Sequence, residues 1–162
     1  MNKRFSIELY NKYDEIACAV AKILLPKYLS IDSLVNSPDK KGVDLIGLTN
    51  FTHKFNVEVE VKTSWAKGLY PFPHKTIHIL SRKRKFCLLR KPTLFCIFSL
   101  DFCGALLIPG SVLLKSPTEI ISNRYMRLGE SFFKIDLDKV RCIHFSKKEE
   151  IRKLHWLKLI KR

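Results

Sequence analysis

The chain has 162 residues, enough for one domain with a real core, and carries 30 Lys+Arg against 15 Asp+Glu, a formal net charge of +15. That excess points to a polyanionic partner, nucleic acid ahead of an anionic membrane surface. Five scattered cysteines with no CxxC pair, and five histidines without zinc spacing, argue for free thiols in a reducing compartment rather than a disulfide framework or structural zinc.

Residues 6–25 place Ile16, Ala17, Val20, Ala21, Ile23 and Leu24 at helical spacing, which predicts a first helix stopped by Pro26. Tyr10 and Tyr13 extend its apolar face. Glu8, Asp14 and Glu15 lie in its N-terminal half, where the macrodipole favours acids. The basic N-terminus lacks an apolar signal core, and the longest apolar runs are broken by Lys22 and Asp101. No membrane span is expected, and the protein reads as cytoplasmic. Residues 28–35 predict a short strand and 36–41 a turn containing Pro38-Asp39. A strand follows at 43–48, carrying Asp44 near its start, and then a loop at 49–54.

In the segment 55–62 charged and β-branched residues alternate. A strand has a side-chain period of two, so Val57, Val59 and Val61 face one side and Glu58, Glu60 and Lys62 the other. The valine side must be buried. The charged side is either a solvated sheet face or a site. Neighbouring strands with a short connection usually pair, which would bring Asp44 beside Glu60.

Residues 63–75 form an aromatic and basic loop, whose Trp65 and Phe72 either contact a nucleic-acid strand or cap the core. The run 76–90 reads as a short strand and a helical turn. There Arg82-Lys83-Arg84-Lys85 would repel one another without an anion nearby. With Lys75, these four are the candidate nucleic-acid contacts. Residues 92–100 predict a strand buried on both faces, 105–108 another strand, 120–127 a helix, and 132–137 and 140–145 two short strands. Ser146 to Glu149 is a capping box that opens a basic amphipathic helix over 147–162.

Asp44, fifteen intervening residues and then Glu60-Val61-Lys62 resemble the PD-(D/E)xK nuclease superfamily, over about residues 5–115. The resemblance implies an α/β fold of restriction-endonuclease type, a central mixed β-sheet flanked by helices, in a single domain spanning 1–162. It implies Asp44, Glu60 and Lys62 as catalytic residues. It also implies Mg²⁺, with Mn²⁺ as substitute, held by Asp44, Glu60, the Val61 carbonyl and a first-helix acid, Glu15, with Glu8 as rival. A basic residue after the ExK strand, Arg82 or Arg84, would then lie beside the phosphate. Pro38-Asp39 is a literal Pro-Asp pair, but its surroundings are those of a turn, and a metal ligand needs a rigid element beneath it.

Phosphodiester hydrolysis needs an activated water and stabilisation of charge on the phosphoryl oxygens. Carboxylates holding a hard divalent cation supply both, and a lysine beside them can orient the water. Glu58 is either a further ligand or a rim residue paired with a lysine. No Gly-x-Ser-x-Gly element or phosphate-cradling glycine loop occurs, so serine hydrolysis and ATP use are not expected. The expectation is a metal-dependent DNA endonuclease, structure-selective in the manner of a junction resolvase and working as a homodimer, with RNA also open. The alternatives are an inert nucleic-acid-binding module of the same fold and a basic interaction protein.

Overall fold

The computed structural model describes residues 7–66, 70–123 and 126–145. The chain is α/β and mostly strand. It begins with helix α1 (Ile7–Leu24), a one-turn helix α2 (Pro26–Leu29) and strand β1 (Ser33–Asn36). Strands β2 (Leu45–Thr49), β3 (Thr52–Lys62) and β4 (Thr76–Leu80) follow, then a 3-10 turn (Ser81–Lys83) and α3 (Arg84–Cys87). The remainder comprises β5 (Thr93–Ser99), β6 (Gly104–Pro109), α4 (Gly110–Lys115), β7 (Thr118–Asn123), β8 (Met126–Asp136) and β9 (Arg141–His144).

Two sheets result. The larger has the order β1-β2-β3-β5-β6-β9, and the smaller β4-β8-β7. The larger sheet is mixed: β3 and β5 run parallel, and its other neighbours pair antiparallel. The period of two in its central strands explains how it separates two cores. Cys96, Phe98, Ala105 and Leu107 point to one side, where Val57 and Val59 meet Ala17, Val20, Ala21 and Leu24 of α1. Phe95, Ile97, Leu106 and Ile108 point to the other, against Ile77, Ile79, Phe133 and Ile135 of the smaller sheet and Leu113 of α4. The expected mixed sheet is present, with the long helix α1 on one face and only the short helices α3 and α4 on the other. A second sheet covers most of that other face, because β4 and β8 present the alternating apolar residues Ile77, Ile79, Phe133 and Ile135, which need a sheet face to bury them.

Two local expectations are corrected. Pro26 stops α1 and also starts α2, since a proline suits a first helical position, so the strand expected over 28–35 begins only at Ser33. The helix expected over 120–127 is strand β7, whose β-branched Ile120 and Ile121 pair with Ser131 and Glu130 of β8. Of the two expectations for Trp65 and Phe72, the core one holds: both are buried and packed edge to face at 5.2 Å. The basic helix expected over 147–162 lies outside the described residues. Among the described residues no helix is long and apolar enough to cross a membrane.

Candidate metal and nucleic-acid site

Strand β3 positions the site. Its valines are locked against α1, which leaves Glu58, Glu60 and Lys62 on the face toward the smaller sheet. Glu58 is buried and Glu60 half-buried. Asp44 lies one residue before β2. Past Gly47 the register pairs Ile46 with Asn56 and Leu45 with Val57, so continuing it sets Asp44 opposite Glu58. A shift between Gly47 and Leu48 creates this alignment; the register beyond it, Leu48 with His53 and Thr49 with Thr52, would oppose Asp44 to Val57. Gly47 is required there because a Cβ would lie 2.9 Å from the Phe55 ring. Asp44 is therefore drawn to Glu58, where direct pairing with Glu60 was expected.

The contacts are specific. The Val59 N–H donates to Asp44 Oδ2 at 2.8 Å, which ties the aspartate to the backbone between the two glutamates. Lys83 Nζ lies 3.3 Å from Glu58 Oε2 and 3.2 Å from Glu60 Oε2. Its side chain is only 14% exposed. Lys83 was expected on a phosphate-binding surface, but it turns inward because two carboxylates held two residues apart on one strand face need a cation between them. Glu58 is accordingly a buried member of the cluster, not a rim residue.

A fourth acid joins from α1. Asp14 is pushed up to about 6 by loss of water around its carboxyl and by the negative charges of Asp44 and Glu60, with Lys83 opposing. Glu15, the first-helix ligand implied by the resemblance, is exposed, while Asp14 is the α1 acid that feels the cluster. The side chain of Glu8 lies outside the described residues. Burial pushes Glu58 up to about 7, helped by Asp44 and opposed by Lys83. Loss of water also raises Asp44, while the Val59 N–H and Lys83 pull it down. Asp14 and the depth of Glu58 were hidden in the sequence. The helical step of about 100° per residue separates Asp14 from Glu15, but nothing before the fold says which of them turns inward.

No protein-family model matches the chain, and no curated protein matches it.

The remaining candidates separate. Lys62 is half-buried and lines a pocket with Ser64, His74 and His78, and no carboxylate among the described residues is at ion-pair distance from it. Arg82 is mostly exposed, with its guanidinium 3.9 Å from Glu130. Arg84, Lys85 and Lys75 are exposed and available to a polyanion. Lys85 lies over the Phe86 ring at the edge of a cleft of about 370 Å³ that also touches Lys41, His53 and Val43, the neighbour of Asp44. Asp39 stays in its turn, where it accepts a hydrogen bond from the Lys41 N–H at 2.9 Å.

The donor set suits a hard divalent cation: Asp44, Glu58, Glu60 and Asp14 are all oxygen donors, and burial has made three of them reluctant to stay charged without a counter-ion. The Lys83 ammonium stands in for a cation between two of them. Among the described residues no three His, Cys, Asp or Glu side chains converge as a ready-made metal cage.

Proposed function

We propose that this chain is a metal-dependent nuclease acting on DNA, with the restriction-endonuclease-like fold of the PD-(D/E)xK superfamily. The observation that carries the reading is Asp44 bonded to the backbone between Glu58 and Glu60, on a chain of net charge +15. A protein rich in cations has no folding need to bring Asp44, Glu58 and Glu60 together about β3 while Asp14 of α1 feels the charge of Asp44 and Glu60. The order of elements supports the same reading. An acidic helix, an aspartate at the start of a strand, an ExK strand and a basic turn follow one another, and the ExK strand is central in a mixed sheet.

Asp44 and Glu60 would hold Mg²⁺ or Mn²⁺, with the Val61 carbonyl and Asp14 or Glu58 completing the shell. The ion, when bound, supplies a Lewis acid for the phosphoryl oxygens and a more acidic water. Lys83 leaves the glutamates to make room and remains close enough to neutralise charge at the phosphate. Arg84, Lys85 and Lys75 hold the flanking backbone. Two copies, each with one site, would cut both strands of a duplex, and nothing in the cluster discriminates DNA from RNA.

A second reading is an inert binding module of the same fold. Lys83 between the glutamates favours it, since a permanent internal cation would replace the metal. Thermal denaturation in millimolar Mn²⁺ or Mg²⁺ separates the two. A cation that binds only the folded state stabilises it by about 1 to 3 kcal/mol at ten- to hundred-fold saturation. The native chain should melt higher with the ion and Asp44→Ala should not. An equal rise in both would place the ion elsewhere, and no rise in either would favour the inert module.

A further inference from the structure

Strand β3 runs on from the carboxylates into a second cavity. Lys62 stands two residues beyond Glu60 on the same face, a step of roughly 6.6 Å along a strand. It opens on a pocket of about 340 Å³ whose polar lining is Ser64, His74, Thr76 and His78 besides Lys62 itself. Each of these side chains can donate a hydrogen bond, the hydroxyls and imidazoles being acceptors as well, and no carboxylate among the described residues lines the pocket. Buried Phe72 forms part of its wall and holds the His74 ring edge to face at 5.3 Å, while Ile77 forms another part.

His78 is oriented by the residue behind it, Glu119. Its Nε2 hydrogen-bonds to Glu119 Oε1, and that bond holds the Glu119 carboxyl below the usual range, so Glu119 is ionised at neutral pH. An ionised acceptor requires the hydrogen on Nε2, so the neutral ring turns Nδ1 outward as an acceptor, and only the doubly protonated ring donates from both nitrogens. Lys134 takes the other oxygen of Glu119 at 3.4 Å, so the carboxylate is engaged away from Lys62.

We propose that this pocket is an anion subsite that takes the phosphodiester group next to the one at the carboxylates. The inference rests on the nucleic-acid reading above and gives Lys62 a different task. Lys83 is the ammonium at the acids, whereas Lys62 clamps the neighbouring phosphate together with Ser64, His74 and Thr76, and His78 lies beside it. The step from Glu60 to Lys62 is comparable to the separation of successive phosphates along an extended strand. Donors from Lys62, Ser64, His74 and Thr76 fit a group with several acceptor oxygens and no hydrogens to give.

The test is made in EDTA, so that it does not depend on cleavage. A short single-stranded oligonucleotide is titrated into the native protein while the imidazole signals of His74 and His78 are followed by NMR. Its affinity is also measured across a salt series for the native protein, Lys62→Ala and His74→Ala. Both imidazoles should shift on binding. Lys62→Ala should reduce the slope of log affinity against log salt by about 0.7, one single-strand phosphate contact. A parallel titration uses inorganic phosphate. If only inorganic phosphate moves the imidazoles, the pocket is a free-phosphate site and the proposal falls. If neither moves them, or if Lys62→Ala keeps the native slope, it falls as well. Absence of cleavage by the native protein with metal would overturn the nuclease and leave this binding result standing.

Discussion

Lys83→Met should unfold at a clearly lower denaturant concentration at pH 8 and close to the native one at pH 5. The native Lys83 ammonium lies between Glu58 and Glu60 at 3.3 and 3.2 Å. Removing it leaves a buried carboxylate without its partner, which costs about 3 kcal/mol where both glutamates are ionised. The pH dependence follows from Glu58, whose carboxyl is raised from the ordinary 4.5 to about 7. A raised acid favours the fold in its protonated form, so its contribution is complete below about pH 4.5 and is lost as pH climbs through about 7. Asp14, raised to about 6, adds in the same direction. The native protein should therefore also lose stability between pH 5 and 8, though less steeply than the variant. Glu58→Gln should relieve this loss and keep the fold. A Lys83→Met deficit equal at both pH values would mean that the lysine acts through packing of its stem alone.

Glu60→Gln should reduce Mg²⁺-dependent cleavage by about 10²-fold or more while leaving DNA affinity unchanged or higher. Glu60 is the half-buried acid that shares Lys83 and bears on both Asp44 and Asp14. The amide keeps the shape of the side chain but withdraws the charge that a divalent cation requires, and losses of this size are typical when one positioned group is removed from a site. Affinity is maintained because Arg84, Lys85 and Lys75 are untouched, and a negative charge near the phosphate is gone. Asp44→Asn should behave alike, although its Val59 contact survives in either form. A Glu60→Gln protein that cuts at the native rate would remove Glu60 from the chemistry.

The valine-glutamate alternation of β3 was readable because it depends only on the two-residue period of a strand, and the fold kept it. Strand β5 was legible for the same reason, since Leu94 to Phe98 has no polar side to expose. The pairing of Asp44 was not legible, because it turns on a one-residue shift between Gly47 and Leu48, beside a glycine whose Cβ would crowd the Phe55 ring. Lys83 was lost among four adjacent cations. Only the 3-10 turn after β4 selects it to face the glutamates while Arg82, Arg84 and Lys85 stay outside. The strand at 118–123 was mistaken for a helix because its partner β8 is what makes Ile120 and Ile121 part of a sheet.

Incubation of the native protein with linear, nicked, flapped and four-way DNA, and with RNA, in Mg²⁺ or Mn²⁺ tests the central claim most directly. Metal-dependent cutting of at least one form, abolished by EDTA and by Glu60→Gln, is the expected result. No cutting of any form with either ion, by a protein that still binds nucleic acid, would contradict it.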